Sequence, residues 1–150
     1  MTILDREKNI IDHLVDVCED GRDFYHTAAN KVEDTNLVRL FRENANIREN
    51  IILNLQNYSR KQGYSIETDG TIEGKALKIF GELLASIKSN TDQEFVNRLE
   101  EAEDRSLEEF HKALAKETTP ELREKIVGFV NELQYSHDRM KAMKEIMKAA

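Results

Sequence analysis

The chain has 150 residues, enough for one domain with a buried core, with 39% apolar residues to build it. One proline, six glycines, no tryptophan and 34% charged residues describe a helical bundle with solvated faces and disfavour an all-β domain. A net charge of −7 argues against a nucleic-acid binder, which carries a basic surface.

Cys18 is the single cysteine, so an internal disulfide and a thiolate metal cluster are both excluded. The opening residues MTILDREKN lack a basic n-region followed by an apolar h-region, and no apolar run approaches membrane-spanning length. The cytoplasm is therefore the expected setting.

The first helix is predicted from about Leu4 to Val32, with Ile11, Leu14, Cys18, Gly21, Tyr25, Ala28 and Val32 in a three/four rhythm. Gly21 lowers helix propensity there, which points to close approach by a neighbouring helix or a bulky side chain. Cys18 on this face reads as a small buried hydrophobe. Asp34 or Thr35 can cap a second helix ending near Gly63, and the short turn predicts an antiparallel hairpin. Leu37, Phe41, Ala45, Ile51, Ile52 and Leu55 form its apolar face, and Arg48 lies in the middle of that face.

The stretch SIETDGTIEG reads as a loop, and Ile72, Ala76, Ile79, Phe80, Leu83, Leu84 and Ile87 outline a shorter fifth helix. Loop and short helix together can carry the chain back along the bundle, as a long crossover requires. Thr91 and Glu94 form a capping box opening a helix through about Lys116, with Glu103 set among Val96, Leu99, Ser106, Phe110 and Ala113. Thr119-Pro120 opens the last helix, which runs through Leu122, Ile126, Phe129, Leu133, His137 and Met140 towards Met147. Gln134 lies one turn before His137. The predicted fold is all-α: a single ferritin-like four-helix-bundle domain over residues 1–150, with a long crossover containing the shorter helix.

Each long helix thus carries polar residues near its middle: Glu19, Asp20 and Asp23 on the first, then Arg48, Glu103, and Gln134 with His137. A di-iron bundle takes a Glu from each of two helices and a Glu-x-x-His from each of the other two. Here the last helix reads Gln134-x-x-His137, and the second has Arg48 and Ile51 at that spacing. Arginine has a fixed charge and no lone pair to give a metal.

Three readings follow. In the first, Asp20, Arg48, Glu103, Gln134 and His137 form a buried polar cluster in which arginine replaces a metal electrostatically. In the second, Arg48 and Glu103 sit at the core rim with their stems covering apolar surface. In the third, Glu19, Asp20, Glu103 and His137 hold iron or manganese. The first reading expects no cofactor. His13, His26 and His111 read as ordinary surface or boundary residues. The sequence also lacks a Walker loop, a dinucleotide fingerprint and a nucleophile elbow. The basic, Met-rich tail from Met140 to Lys148 reads as the end of a core helix, with docking on a partner or a membrane surface as the alternative.

Cys18-Glu19-Asp20-Gly21 with Tyr25 and Ala28-Ala29, Leu40-Phe41 with Ala45 and Arg48, Gly70, Gly74, Glu103-Asp104 and Ser136-His137-Asp138-Arg139 occur in characteristic order and spacing. On these residues the chain resembles bacterial ferritin-like bundle proteins classed as a domain-of-unknown-function family. The resemblance covers Ile10 to Met143. It departs at Asn54 and at Lys75-Ala76-Leu77, where the family often has a glutamate and a His-Arg pair.

The resemblance implies a ferritin-like fold and no established activity. The chain is more distantly similar to rubrerythrin-type di-iron proteins, and Arg48 and Ile51 argue against inheriting their chemistry. A non-enzymatic binding or structural role is expected, with stress physiology suggested by analogy. A degenerate metal protein and a helical interaction module are the alternatives, the latter with an unknown protein partner. A homodimer is the generic expectation.

Overall fold

The computed structural model describes residues 2–64, 85, 87 and 91–149. The expected fifth helix, and with it Gly70 and Gly74, lies outside the described residues apart from Ala85 and Ile87. The described residues form four α-helices and no strand: α1 (Ile3–Ala29), α2 (Thr35–Gln62), α3 (Asp92–Leu114) and α4 (Pro120–Ala149).

Local chemistry sets the helix ends. Thr2 accepts a hydrogen bond from the Asp5 amide, and the Asp5 carboxylate accepts one from the Thr2 amide, closing a capping box on α1. Asn30 donates to the Thr27 carbonyl at 3.2 Å and Lys31 to the Ala28 carbonyl at 3.0 Å, three-residue steps that tighten the end of α1, so Asn30 and Lys31 finish as turn rather than helix. The Asp34 side chain caps α2 through the Asn36 amide. At the other end of α2, Gly63 adopts φ 77°, a left-handed conformation that only glycine takes without strain. Thr91 caps α3 through the Glu94 amide. Thr119 stands at the head of α4, with the Leu122 amide 3.4 Å from its hydroxyl.

Two hairpins, α1–α2 and α3–α4, pack together so that α1 lies beside α3 and α2 beside α4. The Glu33 and Asp34 amides donate to the Asp92 carboxylate at 3.0 Å, tying the α1–α2 turn to the start of α3. The Tyr58 hydroxyl meets Thr119 at 3.1 Å, joining the end of α2 to the start of α4. These contacts fix directions: α2 and α3 run the same way, so Tyr64 and Thr91 lie at opposite ends of the molecule.

The apolar faces build two clusters, one above the other. The first gathers Ile10, Leu14, Ile51, Leu55, Phe110, Leu122, Ile126 and Phe129. The second gathers Tyr25, Ala28, Leu37, Phe41, Phe95, Leu99 and Met140, with Met143 and Met147 packed against it. The methionine side of the tail therefore faces the core, while Ile146 is exposed. No helix among the described residues is long and apolar enough to cross a membrane.

Candidate functional site

Between the two apolar clusters every helix places its polar, inward-facing residues at one level: Tyr25 on α1, Asn44 and Arg48 on α2, Glu103 and Ser106 on α3, and Ser136 on α4. All six are buried. A charge at this depth requires a partner, because desolvation of a lone ion costs several kcal/mol.

Arg48 finds that partner across the bundle. Its Nη2 lies 2.9 Å from Glu103 Oε1. Its Nη1 donates to the Asn44 carbonyl at 3.2 Å and to the Ser136 hydroxyl at 3.4 Å. Ser136 in turn donates to Glu103 Oε1 at 2.8 Å. The Tyr25 hydroxyl donates to the same carboxylate oxygen. The guanidinium carbon sits 4.9 Å from the centre of the Tyr25 ring, in cation–π geometry. One carboxylate oxygen thus gathers donors from three helices, and the arginine stacks on the ring that donates to it.

This layer shifts the groups around it. Burial pulls Arg48 down, but the Glu103 charge and hydrogen bond, together with Tyr25 and Cys18, outweigh it and hold the guanidinium above its ordinary value. Burial, and then the nearby Glu103 charge, push Tyr25 well above the ordinary tyrosine range. Burial raises the Cys18 thiol to about 12, although Arg48 opposes the shift. Such a thiol is a packing group rather than a nucleophile at neutral pH. Glu103 Oε2 and the Ser106 hydroxyl are buried without a hydrogen-bond partner among the described residues.

Of the five residues expected to cluster, the structure joins Arg48 and Glu103. Asp20 is half-buried on α1. Gln134 and His137 stand outside the layer, on the side of α4 that faces α3. His137 Nε2 contacts Asp104 Oδ1 and lies 4.0 Å from Glu100 Oε1. Its Nδ1 is 3.2 Å from Asp138 Oδ1, and the Gln134 amide donates to that same oxygen at 2.9 Å. Burial pulls the imidazole down, but the hydrogen bonds to Asp138 and Asp104 and the charges of Asp104 and Glu103 together outweigh it and raise His137 above its usual range.

The alternative metal set is similarly dispersed. Glu103 is in the core and His137 is in the α3–α4 groove. Glu19 is half-buried on α1, raised above the ordinary carboxyl range by burial, and the charge nearest it in effect is Arg22. Among the described residues, the group with metal-donor spacing is Glu100, Asp104 and His137, whose ligand atoms all lie within 4.8 Å of one another.

Sequence reasoning missed Tyr25 and Ser136 as partners of the pair. The signal for Ser136 was ambiguous, because positions 136 and 137 both continue the rhythm from Leu133 to Met140. The structure turns Ser136 inward and His137 about 100° further round, towards α3. Nothing in the sequence singles out Glu100 and Asp104 as a pair of ligands. Their spacing of four residues, opposite a histidine on the hairpin partner, is what distinguishes them.

A second buried acid went unnoticed. Glu7 is fully enclosed at the lower end of the bundle, where its Oε1 accepts from Tyr58 at 2.8 Å and from Thr119 at 2.9 Å. It ties α1 to the end of α2 and the start of α4. Burial is the main cause that raises the Tyr58 hydroxyl to about 12, with Glu7 adding to the shift.

Among solved structures the chain is similar to one described as CopM in the Cu(II)-bound form. The two share 14% identity over 94% of this chain and 97% of that one, with a TM-score of 0.71. At that identity the likeness is one of fold. No curated protein sequence matches the chain. The profile of one family matches residues 6–116, well over half the sequence, and the chain belongs to that family, described as Domain of unknown function (DUF2383).

Proposed function

We propose that this protein is a ferritin-like helical bundle with a non-enzymatic binding or structural role, its core closed around an ion pair where di-iron members of that fold hold metal. The observation that carries the reading is the fully buried Arg48, with Nη2 2.9 Å from Glu103 Oε1. The shared direction of α2 and α3 supports the ferritin-like topology, since that arrangement calls for a long crossover between them. A di-iron centre of this type needs four carboxylates and two histidines converging from four helices. The polar layer offers one carboxylate, Glu103, and sets against it a cation with no lone pair. The donor set does not fit iron or manganese, and no redox step is assigned to it.

The reading takes a bacterial cytoplasm as its setting and reaches stress physiology only by analogy of fold. Crystals grown from protein purified without chelator, then soaked in Fe(II) or Mn(II), test it. No anomalous peak is expected within bonding distance of Glu103. A peak there, with Arg48 displaced, would overturn the reading.

The copper-bound description of CopM raises metal binding on this fold as a separate matter. In this chain the residues that bear on it lie outside the core layer.

A further inference from the structure

Helix α3 presents Glu100 and Asp104 four residues apart, hence on one face and one turn from each other. The antiparallel α4 sets His137 opposite both. His137 Nε2 contacts Asp104 and stands 4.0 Å from Glu100 Oε1. The Glu100 and His137 side chains are each 12% exposed, whereas Asp104 is 59% exposed. Two donors therefore form a fixed floor, and the third guards an open entrance with rotamer freedom.

The surroundings orient these groups. Asp138 accepts at His137 Nδ1, 3.2 Å away, and Gln134 holds Asp138 through a 2.9 Å hydrogen bond. A carboxylate behind one imidazole nitrogen is the arrangement that aims the other nitrogen at a metal. Lys144 binds Glu100 through Oε2 at 3.3 Å, which leaves Oε1 facing the groove. One imidazole nitrogen, which gives up its proton when it binds a metal, and two carboxylate oxygens thus lie within 4.8 Å of one another.

We propose that Glu100, Asp104 and His137 form a mononuclear site for a late first-row divalent cation, Zn(II) or Cu(II). Imidazole with carboxylate suits these ions, whereas Ca(II) takes six to eight oxygens and Mg(II) a near-ideal octahedral oxygen shell. Ligand bonds of about 2.0–2.2 Å require the direct His137–Asp104 contact to open and admit the ion, which the exposed Asp104 can do by changing rotamer. Water completes the coordination at the open side. The bound ion clips α3 to α4 across their outer groove, so occupancy stabilises the folded hairpin. The proposal goes beyond the reading of the core and is independent of it.

Zn(II) titrated calorimetrically into the chelator-stripped full chain tests the site. One ion should bind per chain. His137→Ala should abolish saturable binding, and Asp138→Asn should weaken it about tenfold by releasing the imidazole. His26→Ala, which removes an exposed ring on α1, should leave Zn(II) affinity unchanged. Imidazole nitrogen resonances provide a reading in the unaltered protein: Zn(II) should shift His137 Nε2 and not the rings of His13, His26 or His111. Unchanged affinity in His137→Ala, no uptake by the wild-type chain at millimolar Zn(II), or shifts confined to the other histidines would each overturn the proposal.

Discussion

Cys18 and Tyr25 show how one buried charge pair sets the chemistry of its neighbours. Both face the layer that holds Arg48 and Glu103, and both are driven towards their neutral forms by burial. The thiol is held near 12, so it should resist a disulfide reagent at pH 8 until the protein unfolds. Thiol titration with and without urea checks this, and rapid labelling of the native protein would contradict it.

At this scale legibility was partial. Arg48 and Glu103 were visible as charges inside apolar stripes, and they are the two that pair. His137 was visible for the same reason, yet periodicity could not choose between it and Ser136. A step of three and a step of four both leave Leu133 for the same helix face. Only the position of the neighbouring helix separates the residue inside the core from the one in the groove.

Single helices were easier to read, because their ends depend on local chemistry. Asp34, Thr91 and Thr119-Pro120 mark starts in the sequence, and each heads a helix. Gly63 marks the stop of α2 and takes the left-handed conformation that this position demands. Gly63→Ala should cost about 1 kcal/mol through backbone strain, with space for the methyl group since, its chain neighbours aside, no atom of the described residues lies within 4 Å of it. Urea unfolding measures this, and an unchanged midpoint would show that the turn is not strained. The first helix was read through Val32 and ends at Ala29, because Asn30 and Lys31 bond three residues back and tighten its end into a turn. The tail behaved as its apolar period suggested: Met140 is fully buried and Met143 and Met147 pack against the upper cluster.

At the scale of the molecule, two apolar clusters are separated by a polar layer, and a second buried acid, Glu7, sits at one end. Both polar regions use tyrosine hydroxyls as donors, which makes the fold sensitive to alkali. The folded state raises Cys18, Tyr25 and Tyr58, so it holds these protons more tightly than the unfolded chain does. Their contribution to stability is complete below the unfolded values. It is lost as pH rises from about 9 towards 12. The urea midpoint should fall steadily over that window, and a flat profile would mean that these groups are not buried as described.

The central claim is that a buried ion pair, rather than a metal, holds the middle of this bundle together. Replacing Arg48 alone strands the Glu103 carboxylate in an apolar interior. Replacing both residues removes the charge altogether, which such cores tolerate far better. The most direct measurement is equilibrium unfolding, in the presence of chelator, of the wild type, Arg48→Met, and Arg48→Met combined with Glu103→Met. The account predicts a loss of about 3–5 kcal/mol for the single variant and recovery of most of it in the double variant. A single variant as stable as the wild type, or a double variant no better than the single, would contradict it.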